Sequence, residues 1–129
     1  MNMKFSTLLA AGMVTAALAP AMASAQNVVA QMGTTDQGEA LVNGEGFSLY
    51  AFDNDALAVS NCNDGCAVKW PPLEASNRAR ASGDFGIIVR ADGARQWVYK
   101  GQPLYTWIND SEAGQTTGDG VKGVWHLVR

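Results

Sequence analysis

The sequence predicts an all-β fold: a single compact domain of two tandem pseudo-symmetric repeats, with about seven or eight short antiparallel strands in a sandwich or barrel-like arrangement. Three observations predict it. Gly46-Phe47-Ser48-Leu49-Tyr50-Ala51-Phe52-Asp53-Asn54-Asp55 matches Gly101-Gln102-Pro103-Leu104-Tyr105-Thr106-Trp107-Ile108-Asn109-Asp110 as Gly-x-x-Leu-Tyr-x-[Phe/Trp]-x-Asn-Asp, at an offset of 55 (101 − 46). The offset continues without a gap, so that Asp64-Gly65 falls on Asp119-Gly120 and Trp70 on Trp125 (125 − 70 = 55). Beyond the first 25 residues no long segment has a 3.6-residue period, and short apolar runs alternate with Gly, Asn, Asp and Pro. A unit of this size cannot bury its apolar face alone, so the two copies are expected to pack together.

Taken in order, residues 1–25 read as a secretory signal peptide. Lys4 stands near the start, an apolar run extends from Leu8 to Leu18, and Ala23-Ser24-Ala25 fits the small-residue cleavage rule, which sets the mature start near Gln26. The apolar run is shorter than the ~20 residues needed to span a bilayer, so no transmembrane segment is expected. Val28-Val29-Ala30 and Ala40-Leu41-Val42 read as short strands around a turn at Gly33–Gly38. Asn43-Gly44 is a second turn, leading into a strand with Phe47, Leu49 and Ala51 on one face and Ser48, Tyr50 and Phe52 on the other. Ala56–Val59 reads as a helical turn and Ser60–Cys66 as a loop. Two prolines in Trp70-Pro71-Pro72-Leu73 forbid a central strand, which leaves an edge or an extended connection with Trp70 turned inward.

Residues 74–84 are small and polar and read as the connector between copies at about 28–73 and 85–128 within the mature domain 26–129. Phe85–Arg90 and Arg95–Tyr99 flank the turn Ala91-Asp92-Gly93-Ala94 and read as a hairpin. Leu104–Trp107 and Val124–Val128 complete the strands, separated by a loop rich in Gly, Thr, Ser and acid.

Composition excludes several classes. Of the nine Lys and Arg, Lys4 lies in the leader, so the mature chain carries eight against twelve Asp and Glu, a balance of −4 with the basic residues scattered singly. Nucleic acid and anionic membranes are therefore poor partners. No Gly-x-Ser-x-Gly, His-Glu-x-x-His or phosphate-binding glycine loop is present, so no enzyme constellation is expected. The acidic runs Asp53-Asn54-Asp55 and Asp110-Ser111-Glu112 lack EF-hand spacing.

Cys62 and Cys66 enclose five residues in a chain expected to be exported to an oxidising compartment, where a disulfide is the default. A rival reading is a Cu(I) site of paired thiolates, with His126 adding an imidazole if the last strand passes the loop. Met32 is the only other soft ligand of the mature chain. In the repeated motif, Tyr50 and Phe52 share one strand face with Asp55 just beyond, as do Tyr105, Trp107 and Asp110. Each Asp is either a turn cap or half of a ligand site with an aromatic platform. Trp70, Trp97, Trp107 and Trp125 are expected in the core or half-buried in the sheet.

The repeated Tyr-x-[Phe/Trp]-x-x-Asp, with Cys62-x-x-x-Cys66-Ala67 and Trp70-Pro71-Pro72-Leu73 after the first copy, resembles the bacterial secreted-repeat and predicted-lipoprotein family that carries a Tyr-x4-Asp motif. The likeness runs from about Ala40 to Val128. It implies an exported one-domain protein of two repeats, with signature positions Tyr50 and Asp55, Tyr105 and Asp110, Cys62 and Cys66, and Trp70. The chain departs from lipoprotein members in having no Cys near its cleavage point. The expected function is a periplasmic or secreted, non-enzymatic binding or accessory module, acting without a cofactor on a small ligand or a periplasmic protein through loops on a two-repeat scaffold. The alternative is copper handling by Cys62, Cys66 and His126.

Overall fold

Turn-forming residues cut the chain into short strands, and a computed structural model describes residues 29–129. The leader and Val28 lie outside the described residues. Seven strands follow in order: β1 Ala30–Thr35, β2 Gly38–Asn43, β3 Tyr50–Phe52, β4 Phe85–Val89, β5 Arg95–Tyr99, β6 Gln102–Pro103 and β7 Trp125–Leu127. A single helical turn, α1 Gly65–Lys69, and a 3-10 turn at Val121–Gly123 lie between them. All strand pairs are antiparallel, in sheets ordered β1-β2, β3-β7 and β4-β5-β6.

The first hairpin differs from its sequence reading. β1 continues through Gly33-Thr34-Thr35, and the turn is confined to Asp36 and Gln37. Threonine explains the extension, because Thr35 Oγ1 donates to the Gly38 carbonyl at 2.7 Å and accepts from the Gln37 amide at 3.1 Å. Gly33 is tolerated inside the strand because it lies against Val42, where an added Cβ would sit 2.8 Å from a methyl. Two further expectations are corrected. Ala56–Val59 is not helical: Ala58 takes a left-handed φ of 58° and donates its amide to Gly101, so the segment reverses direction instead. The one helical turn falls after Asp64, where Ala67-Val68-Lys69 contains no breaker and Trp70 closes it by donating to the Cys66 carbonyl.

Every residue of the first motif strand is used on both sides. Tyr50 joins a core with Ala40, Cys62, Trp70, Tyr105, Trp125 and Leu127, while Leu49 and Ala51 face a second core around Leu41, Trp97, Leu104 and Val128. Burying both faces explains why the strand lacks a polar alternation.

The two copies exchange their last strands. β7, from the second copy, pairs with β3 of the first as Tyr50↔Leu127, Ala51↔His126 and Phe52↔Trp125. Adding or subtracting 55 gives the mirror contact, and Pro72 indeed bridges Tyr105 while the Thr106 amide donates to the Pro71 carbonyl at 2.9 Å. Proline has no amide to donate, so this second contact stays an extended connection. Leu73 lies between Trp97 and Leu104 of the second copy, and Val128 lies between Leu41 and Leu49 of the first. Each copy is thus completed by the other. Segments 29–80 and 81–129 produced separately are expected to show no cooperative melting, and to regain it when mixed. A cooperative transition in either segment alone would show that strand exchange is dispensable.

Candidate functional site

The motif tyrosines meet at the centre of the molecule. The Tyr50 amide donates to the Tyr105 carbonyl at 2.8 Å and the Tyr105 amide to the Tyr50 carbonyl at 3.0 Å, so the two copies are related across this pair. Their side chains then cross over: the Tyr50 hydroxyl donates to Asp110 at 2.7 Å, and the Tyr105 hydroxyl donates to Asp55 at 2.8 Å. Each tyrosine is satisfied by the aspartate of the other copy. Both tyrosine side chains are fully buried, where an unbonded hydroxyl is costly.

Around this shared core the two ends differ. Asp110 also accepts from the Thr117 amide and hydroxyl at 3.0 and 2.6 Å, and the Gly118 amide donates to the Tyr50 hydroxyl. Gly118 has no room for a side chain, since a Cβ would lie 2.9 Å from both Trp70 and Tyr50. At the other end Asp55 accepts from the Asn61 amide at 2.6 Å. Buried Arg90 donates to Ser60, Gln96 and the Cys62 carbonyl, and Ser60 in turn contacts the Tyr105 hydroxyl at 2.6 Å. Arg90 comes from the second copy and so ties down the cysteine loop of the first.

Burial raises the pKa of both tyrosines, with the neighbouring aspartates adding to it; Tyr105 is pushed up to about 12. Burial also raises Asp55, against the Asn61 and Tyr105 hydrogen bonds and the positive charge of Arg90.

In front of the tyrosines stands a column of four rings in the order Phe52, Trp125, Trp70, Trp107. Adjacent centroids are 4.3, 3.8 and 4.0 Å apart, all stacked. Each tyrosine meets the column edge-on, Tyr50 against Trp70 and Tyr105 against Trp125. The four rings line a cleft of about 440 Å³. Its walls use repeat-equivalent positions, with Cys66 opposite Val121 and Lys69 opposite Val124, each separated by 55. Lys122 completes the rim, and no carboxylate lines the cleft.

The structure therefore divides the sequence candidates. Tyr50, Asp55, Tyr105 and Asp110 are bonded to one another behind the column, whereas Phe52 and Trp107 are half-buried and open onto the cleft. Each Tyr–Asp bond runs between copies, and the cleft in front of them is walled by both copies. Cys62 and Cys66 form a disulfide, with Cys62 buried and Cys66 at the cleft wall. His126 is exposed, with its Nε2 2.8 Å from Asp53. Met32 is exposed on β1. Lys69, Lys122, Val121 and Val124 had no motif to mark them. Only the offset of 55 from Val124 to Lys69 and from Val121 to Cys66 carried a signal.

The sequence matches a family described as a secreted repeat of unknown function, once over residues 31–74 and again over 86–129. The chain belongs to that family. The family description supports a secreted location. Comparison with curated proteins and with solved structures finds no match. Among the described residues no helix is long and apolar enough to cross a membrane.

Two measurements test this geometry. The folded tyrosines hold their protons more tightly than the unfolded chain does, so their contribution is fully present below pH 10 and is lost as pH rises toward about 12. Unfolding free energy should fall by up to ~1.4 kcal/mol per pH unit for each buried tyrosine over that interval. Tyr50→Phe should shallow the slope and cost about 1.5–3 kcal/mol at neutral pH, since it leaves Asp110 short of a partner. An unchanged slope would place the hydroxyl in solvent. For the disulfide, thiol labelling before reduction should find no free thiol. Replacing Cys62 and Cys66 by alanine should cost about 2 kcal/mol, the chain-entropy estimate for so short a loop.

Proposed function

We propose that the chain is an exported, non-enzymatic binding module whose ligand occupies the cleft on the axis between the two repeats. One observation carries the reading: Phe52, Trp70, Trp107 and Trp125 converge on a concavity, while the acid and hydroxyl groups nearest to it are consumed behind the column. An aromatic-lined concavity with a few polar groups at its rim is the usual form of a small-molecule site. The titratable side chains that line the cleft are Lys69 and Lys122, and no carboxylate or imidazole stands beside them in the cleft wall to complete an acid–base pair. The strand exchange supplies rigidity, since walls from both copies are fixed by the same buried hydrogen bonds.

Tryptophan fluorescence and indole N–H resonances provide the test, because three of the four tryptophans line the cleft. Screened against small aromatic compounds, the protein should show shifts confined to Trp70, Trp107 and Trp125, with Trp97 as an internal control. Trp107→Ala should abolish those shifts and retain the melting transition, since Trp107 sits at the end of the column. Perturbation centred on Trp97 instead, or on the hairpin β1-β2, would overturn the assignment of the cleft.

A further inference from the structure

The charges and ring geometry of the cleft specify more than a generic apolar ligand. Aromatic clusters of this kind serve two opposite chemistries, because ring faces attract cations as well as stacking flat molecules. Here the rim decides between them. Lys69 and Lys122 are the charged residues that line the cleft, and neither is in a salt bridge among the described residues. In a chain of formal charge −3 this is a local reversal of sign, which repels a cation and attracts an anion.

The lysines are also the part of the cleft that the repeat does not require. Phe52 and Trp107, and Trp70 and Trp125, are repeat-equivalent aromatic pairs, as folding around the axis demands. Lys69 corresponds to Val124 and Lys122 corresponds to Ala67 (122 − 55 = 67), so the equivalent positions do without charge. Lys122 is moreover held at a left-handed φ of 53° between Gly120 and Gly123, a conformation that glycine adopts at less cost.

Ring spacing supplies the second half of the specification. The column is already stacked at 3.8–4.3 Å, and Phe52 and Trp107 end it, each with a single stacked neighbour. A flat conjugated ring continues such a stack by offset stacking on an end ring. Resting on the reading of the cleft as the binding site, we propose that its ligand is a flat, conjugated organic anion such as a fused-ring aromatic carboxylate. The ring extends the Phe52–Trp107 column, and the anionic group sits between Lys69 and Lys122.

Titration of the intact protein with three probes, followed by indole resonances and calorimetry, tests this. The probes are 2-naphthoate, the neutral 2-naphthylmethanol, and cyclohexanecarboxylate, an anion without a flat ring. Naphthoate is expected to bind at least tenfold more tightly than either of the others, and to weaken as salt is added. Lys122→Gly, which the left-handed backbone accommodates, and Lys69→Gln should each lower naphthoate affinity several-fold and leave naphthylmethanol unchanged. Equal affinity for naphthoate and naphthylmethanol overturns the anion assignment while the cleft stands as the binding site. Equal affinity for naphthoate and cyclohexanecarboxylate overturns the requirement for a flat ring in the same way. If no probe shifts Trp70, Trp107 or Trp125, both the ligand class and the cleft reading fall.

Discussion

The reciprocal bond between each motif tyrosine and the aspartate of the other repeat is the constraint on which the rest of the molecule depends. Tyr50 and Tyr105 are wholly buried, and a buried hydroxyl without a partner is destabilising by an amount comparable with a sizeable share of a small domain's stability. The partner comes from the other copy. Asp55 follows Tyr50 in sequence but bonds Tyr105, and Asp110 follows Tyr105 but bonds Tyr50. Docking of the two copies therefore satisfies both motifs at once. The exchange of β7 and of Leu73 between copies follows from that crossover, because each loop that leads away from an aspartate ends beside the other copy's motif strand.

Function is proposed where this symmetry axis reaches the surface. The tyrosines hold Trp70 and Trp125 edge-on, those two rings stack at an interplanar angle of 3°, and Phe52 and Trp107 flank them. A concavity on the axis is thus walled by both copies at once. Departures from symmetry then distinguish its two sides. Arg90 and the disulfide brace one loop, whereas Thr117 and the close approach of Gly118 brace the other. Folding needs a satisfied aspartate at each end, and chemically different loops meet that need.

Much of the architecture was legible because it follows from local rules. The β4-β5 hairpin, the inward Trp70 and the short last strand all come from alternation, turn residues and the limits that proline sets. Local rules failed where a distant contact decided the backbone. Ala56–Val59 has helical composition but turns back because Ala58 donates to Gly101, and Gly33 reads as a turn residue but lies in β1 because it packs on Val42. Gly101 lies 43 residues beyond Ala58 (101 − 58), and Val42 lies across the hairpin from Gly33.

By itself the sequence determined the repeat, the strand-and-turn composition and that any disulfide within the chain would join Cys62 to Cys66, since an ungapped offset and two cysteines leave little freedom. Tertiary structure alone decided which tyrosine meets which aspartate. A repeated motif contains the same residues in both copies, so its pattern is identical whether bonds are made within a copy or between copies. Only packing around the axis separates the two. The cleft has the same origin: Phe52 and Trp107 belong to the repeated motif and Lys69 and Lys122 do not, and the four become one site because strand exchange brings the two copies face to face.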